Sequence, residues 1–124
     1  MKLTLLDLPL AICRLDPAAA LPAWATGGAF WSITKTPEEL SIICGDAQVP
    51  EDVHAGRDWR AFEVAGPMDL GSTGVLASIA GPLAAAGISL FAVSTFDTDY
   101  ILVRGERALE AAAALRAAGH EVGR

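Results

Sequence analysis

The sequence predicts an α+β fold made of two tandem βαββαβ modules, which we place at residues 1–56 and 57–124. Three observations carry this prediction: a composition typical of a packed chain, an internal repeat, and the order of elements in the second half. The chain has 124 residues, of which 52% are hydrophobic and 19% are charged. This balance is typical of a folded unit with a buried core and not of a disordered chain.

A repeat links the two halves of the chain. Residues 30–46 (FWSITKTPEELSIICGD) align without a gap on residues 90–106 (LFAVSTFDTDYILVRGE), at an offset of 60. Each copy has two apolar runs around a polar centre, which predicts a β-hairpin. Upstream, residues 10–16 match residues 63–69 more loosely at an offset of 53, which indicates a shortened helical segment in the first copy. Chance similarity between two strand pairs is the alternative interpretation.

The second half shows the order of elements most clearly. The predicted elements are a strand at 59–66, a helix beginning near 75, a hairpin at 88–103, a helix at 106–119 and a short strand at 120–122. The first helix is predicted because Val75, Ile79 and Leu83 recur every four residues, although Pro82 should kink or fray its end. The resulting order is the ferredoxin-like pattern, an antiparallel sheet with both helices on one face. The first half repeats this order with stunted helices near 17–24 and 49–54.

The apolar runs also predict which residues are buried. Cys13 and Cys44 lie in such runs, and two cysteines are too few for a disulfide scaffold, so we expect buried, reduced thiols. The remaining core is expected to contain ten aliphatic residues: Ile12, Ile33, Ile42, Val64, Leu76, Ile79, Leu83, Val93, Leu102 and Leu109.

The net charge of −6 limits the partners of the chain. Binding of nucleic acid or of an anionic membrane surface requires a basic face, so we expect neither partner. The first twenty residues resemble a secretory leader, with Lys2 ahead of an apolar run, but Asp7 and Pro9 interrupt that run. No stretch approaches the length of a membrane span, and we therefore expect a cytoplasmic protein.

The sequence contains no constellation typical of catalysis. There is no G-x-S-x-G elbow, and the cysteines and histidines lack the spacing of a zinc site. His54 and His120 are interpreted as surface histidines. Residues 71–74 (GSTG) match a G-x-x-G nucleic-acid loop, but their neutral surroundings in an acidic chain exclude that interpretation. We expect no enzyme activity, no cofactor and no metal.

Three stretches together resemble a known family. They are residues 69–89 (DLGSTGVLASIAGPLAAAGIS), 91–103 (FAVSTFDTDYILV) and 30–44 (FWSITKTPEELSIIC). The resemblance, which spans about residues 10–122, is to ACT-domain proteins, and more narrowly to the small bacterial tandem-ACT group related to the CASTOR-type arginine sensors. It implies a regulatory protein that binds a small molecule, usually an amino acid, at an interface between modules.

The predicted ligand site includes the hairpin tip at residues 94–99. A tip that only turns the chain would normally use glycine, whereas this one holds three hydroxyls, a phenylalanine and two aspartates. In the prediction, the backbone N–H groups at 72–75 bind a carboxylate, an aspartate pairs with an ammonium, and Phe96 forms a lid. Thr34 and Thr36 face the same cleft from the first half. The predicted site residues are Thr34, Thr36, Asp69, Gly71, Ser72, Thr73, Gly74, Val75, Ser94, Thr95, Phe96 and Asp99.

Two other interpretations of this tip remain at the sequence level. It could be a solvated turn, or Asp97 and Asp99 could hold a divalent cation together with Asp69. For the whole chain, the sequence favours an amino-acid sensor, and the alternative is a ligand-free assembly module. We also expect that the protein can form a homodimer, because small modules leave sheet edges that need cover. The downstream protein partner is not specified by the sequence.

Overall fold

The computed structural model describes residues 1–66 and 73–124, and within this part the chain forms two compact units. The first module is Leu8–Trp59, and the second module combines Met1–Asp7 with Arg60–Arg124. The boundary lies three residues beyond the predicted division, and the first seven residues belong to the second module. In chain order the strands and helices are β1 (Lys2–Leu5), β2 (Leu10–Leu15), β3 (Trp31–Lys35), β4 (Leu40–Gly45), β5 (Ala55–Val64), α1 (Val75–Ala85), β6 (Phe91–Ser94), β7 (Asp99–Arg104), α2 (Ala108–Ala117) and β8 (Glu121–Gly123).

The first module is an antiparallel sheet whose helices are reduced to single turns. Its strand order is β3-β4-β2-β5, the order of a βαββαβ module. Short 3₁₀ turns at Ala23–Thr26 and Asp46–Gln48 stand where the two helices would be, so the predicted helices at 17–24 and 49–54 are wrong in position. Proline explains the shift, because Pro17, Pro22 and Pro50 lack the backbone N–H that a continuing helix needs.

The second module contains every element predicted for it, and one more. Its strand order is β8-β1-β5-β7-β6, which is the βαββαβ order with β1 inserted beside β5. β1 runs antiparallel to β5 and parallel to β8. The alternation of buried Leu3 and Leu5 with Lys2 and Thr4 is the period-two signal of a strand, which the leader-like composition obscured.

Both helices contribute to the core of the second module. Phe62 and Val64 of β5 belong to one buried cluster with Ile79 and Leu83 of α1 and Leu115 of α2. Within the described residues, neither helix has the length and apolarity that a bilayer crossing requires.

Half of the predicted core residues are buried. Ile42, Val64, Ile79, Leu83 and Leu102 are confirmed, whereas Ile12, Ile33 and Val93 are half-buried. Leu76 and Leu109 are wrong, since they are 41% and 71% exposed. Each lies one position after a helical residue that faces the core. One position corresponds to a rotation of about 100° around the helix axis, so the side chain points away from the core.

The repeat exists in the structure, but its register differs from the sequence alignment by one residue. Lys35 pairs with Leu40 where Ser94 pairs with Asp99, so the hairpins superpose at an offset one residue shorter than 60. The 3₁₀ turns at Asp46–Gln48 and Gly105–Arg107 correspond at that shorter offset. The predicted hairpins are therefore confirmed, and the predicted residue-by-residue match is wrong.

Both thiols are buried, as predicted, on adjacent strands of the first module. The pKa of Cys13 is raised to about 11, mainly by burial and to a smaller extent by the neighbouring Cys44. The pKa of Cys44 is also raised, mainly by burial and to a smaller extent by Asp46. A thiol of pKa 11 holds roughly one thiolate per thousand molecules at pH 8, and the thiolate is the reactive form.

We therefore expect the native protein to resist an aromatic disulfide reagent at pH 8 and to react at both cysteines once unfolded. The pKa values of both thiols are higher in the folded protein than in the unfolded chain. The neutral thiols therefore contribute to the free energy of unfolding below about pH 8.5, and this contribution is lost as the pH rises towards 11. Urea unfolding at pH 7 and pH 10 measures the loss. Rapid labelling of the native protein would contradict the assignment.

Candidate functional site

The hairpin tip between β6 and β7 is closed by hydroxyl groups. The Thr95 N–H donates to the Thr98 carbonyl at 2.8 Å, and the Thr98 N–H donates to Thr95 Oγ1 at 3.2 Å. The threonine hydroxyl thus supports the turn that glycine usually provides. Ser94 and Asp99 face each other at the base of the tip, and Ser94 Oγ donates to Asp99 Oδ1 at 2.6 Å.

Asp99 is a nearly buried carboxylate on the helix side of the sheet. Only 9% of the residue is exposed. Side chains alternate between the two faces of a strand, and Ile101 and Val103 of β7 belong to the cluster that includes both helices. Asp99 therefore shares the face on which α1 and α2 pack. Phe96, three residues earlier, is 78% exposed.

The tip contacts the end of β5. The Thr98 hydroxyl donates to the Val64 carbonyl. A Cβ atom placed on Gly66 would lie 2.9 Å from the Asp97 carbonyl oxygen and 3.3 Å from Thr98 Cβ. Glycine at this position lets the chain pass against the tip.

We expect Gly66→Ala to lower the free energy of unfolding by about 1–3 kcal/mol, because the added methyl must displace backbone at the tip. Gly81→Ala is the matched control, since Gly81 lies within α1 and a Cβ there meets nothing within 4 Å. That control should change stability by less than about 1 kcal/mol, because the helix propensity that alanine adds is opposed by its Cβ beside the ring of Pro82. Urea denaturation of both variants measures the difference, and equal stability of the two would contradict this packing.

Among residues 1–66 and 73–124, no side chain caps the N-terminus of helix α1. Gly74 is the N-cap residue in a left-handed conformation with φ of 76°, and a Cβ there would meet no atom of these residues within 4 Å. The first intrahelical bond runs from the Ser78 N–H to the Gly74 carbonyl at 2.9 Å. The N–H groups of Val75, Leu76 and Ala77 therefore lack intrahelical acceptors. Thr73 is exposed, and the predicted site residues Asp69, Gly71 and Ser72 lie outside the described residues.

Chain connectivity brings these features to one end of the second module. β5 ends at Val64, its last residues contact the hairpin tip, and α1 starts at Val75 after the connection that follows β5. α1 ends at Ala85, shortly before β6 begins at the end of the hairpin away from the tip, so the start of α1 lies towards the tip and Asp99. α1 packs on the face of the sheet that Asp99 shares.

Thr34 and Thr36 lie in the hairpin of the first module. Thr34 is exposed and pairs with Ser41. Thr36 Oγ1 accepts the N–H groups of Glu38 and Glu39, each at 3.2 Å. The Thr36 hydroxyl also donates to the Glu39 carbonyl oxygen at 3.4 Å. Thr36 thus supports its turn as Thr95 does in the second module.

Two polar contacts of the second module were not predicted from the sequence. His120, predicted at the surface, is buried, and its Nε2 lies 2.8 Å from the Ser78 carbonyl oxygen of α1. Glu63 accepts a 2.8 Å hydrogen bond from the Tyr100 hydroxyl, and burial together with this carboxylate raises the pKa of Tyr100. Neither contact has a sequence signature, because the partners are 42 and 37 residues apart.

The described residues hold no group of three or more His, Cys, Asp or Glu side chains that could bind a metal ion. His54 is exposed, in agreement with its interpretation as a surface residue.

Comparison with protein families identifies the second module. The family model described as an ACT domain matches residues 54–117, which is more than half of the chain. The chain belongs to the ACT-domain family. A second family model, which describes an N-terminal domain, matches residues 9–52. The two matches follow the two modules of this ACT-domain protein, and the resemblance predicted from sequence is confirmed.

Two curated relatives are CASTOR-type proteins. The ACT-domain chain is 36% identical to human protein CASTOR3P over 87 residues and 46% identical to the cytosolic arginine sensor for mTORC1 subunit 1 of Bos taurus over 84 residues. Each match covers 60% of this chain, and it covers 53% of CASTOR3P and 25% of the bovine protein. The chain thus spans about half, or a quarter, of the length of these relatives.

A crystallised protein from Agrobacterium tumefaciens matches the ACT-domain chain over nearly its whole length. It shows 42% sequence identity and a TM-score of 0.93. The match covers 99% of this chain and 92% of the other. The predicted α+β fold with an ACT domain is confirmed.

Proposed function

We propose that this ACT-domain protein is a regulatory module that binds a free amino acid at the end of the second module where α1 begins. The observation that carries the proposal is the nearly buried Asp99 carboxylate on the same face and at the same end as the open helix N-terminus. These two features have opposite polarity. They suit the two charged groups that every free amino acid carries.

The helix N-terminus would bind the ligand carboxylate. The N–H groups of Val75, Leu76 and Ala77 point out of the first turn, where the helix dipole favours negative charge. The space around Gly74 allows a ligand to approach the backbone closely. Gly71 and Ser72, which lie outside the described residues, remain predicted members of this surface.

Asp99 would bind the ligand ammonium. The Ser94 hydroxyl engages Oδ1 and fixes the carboxylate, and the ammonium approaches Oδ2. A charged hydrogen bond of this kind is stronger in a site from which water is largely excluded. Thr95 supports the tip, and the exposed Phe96 ring can close over a bound ligand.

The relatives support this class of function. One of them is named as a cytosolic arginine sensor, which makes arginine one candidate among the amino acids. By the same analogy, the proposal includes a non-catalytic role in the cytoplasm. The regulated partner is a protein not specified by the chain.

The experiment is a thermal-shift screen of the twenty amino acids on the wild-type protein. An amino acid present at a hundred times its dissociation constant should stabilise the fold by about 2.7 kcal/mol. A rise in melting temperature with at least one amino acid is the expected result. If none of the twenty changes the melting temperature of the folded protein, the proposal is wrong.

A further inference from the structure

Helix α1 contains a proline at a position where a regular helix forms a hydrogen bond. In such a helix the N–H of each residue donates to the carbonyl four positions earlier. Pro82 lies inside α1 and has no N–H, so the Ser78 carbonyl lacks its regular donor. Ser78 also closes the first turn of the helix, since its N–H donates to the Gly74 carbonyl at 2.9 Å. The missing bond therefore lies directly beside the first turn of α1.

A side chain from outside the helix supplies a donor to this carbonyl. His120 Nε2 lies 2.8 Å from the Ser78 carbonyl oxygen, and only 9% of this histidine is exposed. A carbonyl oxygen only accepts hydrogen bonds, so Nε2 carries the proton in this contact. His120 Nδ1 lies 3.1 Å from the amino nitrogen of Met1, which can donate to it. Both contacts suit the same form of the imidazole, with one proton on Nε2.

The backbone that carries this imidazole is fixed to the end of α2. Gly119 has a left-handed conformation with φ of 98°, and its N–H donates to the Arg116 carbonyl at 3.0 Å. The His120 N–H donates to the Leu115 carbonyl at 3.1 Å. These two bonds form the Schellman motif that ends many helices. Because its backbone is fixed in this way, His120 joins the end of α2 to the beginning of α1.

We propose that His120 is a positioning residue for the first turn of α1, because it supplies the donor that Pro82 cannot supply. This role rests on the proposed function, in which that turn presents its free N–H groups at residues 75–77 to a ligand carboxylate. No side chain among the described residues caps the start of α1, so the turn is not fixed from that end. A carbonyl without a donor turns towards water or another donor, so loss of the imidazole would allow the turn to shift.

The contact has a spectroscopic signature that requires no ligand. An imidazole N–H in a protected hydrogen bond exchanges slowly with water, so its cross-peak is visible in a proton–nitrogen correlation spectrum. We expect this cross-peak for His120 Nε2 at pH 8, where an ordinary imidazole is neutral. His54, the second histidine of the chain, is exposed and should give no such cross-peak. Absence of the His120 cross-peak, or a proton on its Nδ1 in place of Nε2, would overturn the assignment.

A rescue experiment separates positioning from a general loss of stability. His120→Ala removes the donor, whereas Pro82→Ala gives α1 an N–H of its own for the Ser78 carbonyl. In the ligand-free protein, His120→Ala should shift the amide resonances of residues 75–77, and this shift should be much smaller when Pro82→Ala is already present. Pro82→Ala cannot replace the contact with Met1, so the rescue tests the Ser78 contact alone. Equal shifts in both backgrounds would overturn the proposal.

Two further variants serve as controls for this rescue. His120→Gln keeps an N–H donor of similar reach, so it should shift the amide resonances of residues 75–77 less than His120→Ala does. His54→Ala removes the exposed histidine of the first module and should leave them unchanged. Circular dichroism establishes that each variant folds.

Affinity for an amino acid that stabilises the wild type gives the second readout. We expect His120→Ala to weaken binding by about two- to tenfold, the range of one hydrogen bond, and by less than about twofold in the Pro82→Ala background. Wild-type affinity and wild-type amide shifts in His120→Ala would overturn the proposal and leave the proposed function standing. If the amide shifts follow the rescue but none of the twenty amino acids binds, the proposed function is wrong and the positioning of the turn stands.

Discussion

Phe62→Ala should lower the free energy of unfolding by about 3–5 kcal/mol. Phe62 is the largest of the fully buried side chains, and it lies in β5 opposite Leu5 of β1. Its ring belongs to the cluster that joins this sheet to both helices, so its removal leaves a cavity that rigid neighbours cannot fill. A domain of this size has a total stability of only about 5–15 kcal/mol.

Phe96→Ala is the matched control for this substitution. It removes the same ring from a position that is 78% exposed, so we expect a change within about 0.5 kcal/mol. Urea unfolding followed by circular dichroism measures both variants. If Phe62→Ala costs less than Phe96→Ala, the core assigned to the second module is wrong.

Asp99→Asn should weaken amino-acid binding by about 2–5 kcal/mol, which corresponds to thirtyfold or more in the dissociation constant. The asparagine keeps the shape of the side chain and can still accept the Ser94 hydrogen bond, but it cannot neutralise a ligand ammonium. Isothermal titration calorimetry measures this loss with an amino acid that stabilises the wild type in the thermal-shift screen.

Asp97→Asn controls for the change in net charge. Asp97 is exposed in the same tip and loses the same charge, and it has no role in the proposed site. We expect its affinity to stay within a few-fold of wild type, since exposed charges contribute about 0–1 kcal/mol. Equal losses in both variants would indicate a general electrostatic effect and contradict direct pairing with Asp99.

The fold of the second module was predictable because its signals are local. The four-residue spacing of Val75, Ile79 and Leu83 indicated α1, and Val75 and the buried Ile79 and Leu83 face the core as predicted. The insertion of β1 beside β5 was not predictable, because pairing between residues about sixty positions apart depends on tertiary packing. His120 was misjudged for the same reason, since its partner Ser78 lies on α1, 42 residues away in the chain.

The repeat shows how far a residue pattern can fix a register. Ile42 and Ile43 are both buried, as are Ile101 and Leu102, so these runs do not alternate and align equally well with a shift of one residue. Such a shift exchanges the two faces of a strand. The structure therefore equates Asp99 with buried Leu40 and not with Glu39, which makes the carboxylate a feature of the second module alone.

The candidate site was predictable in outline, because the hairpin tip contains polar side chains that a turn alone does not require. A glycine-free tip with hydroxyls and aspartates indicated a role beyond reversal of the chain, and the structure shows that Thr95 supports the turn while Ser94 fixes Asp99. The sequence could not distinguish these two tasks, because both use hydroxyl groups. The separation depends on which residues face each other across the hairpin.

Amide chemical shifts measured during titration with the stabilising amino acid test the central claim most directly. We expect the largest changes in two segments, the first turn of α1 at Val75, Leu76 and Ala77 and the hairpin tip at residues 94–99. The equivalent tip of the first module, residues 35–40, serves as the internal reference and should change little. Saturable changes confined to that reference tip, or to residues outside the second module, would contradict the account.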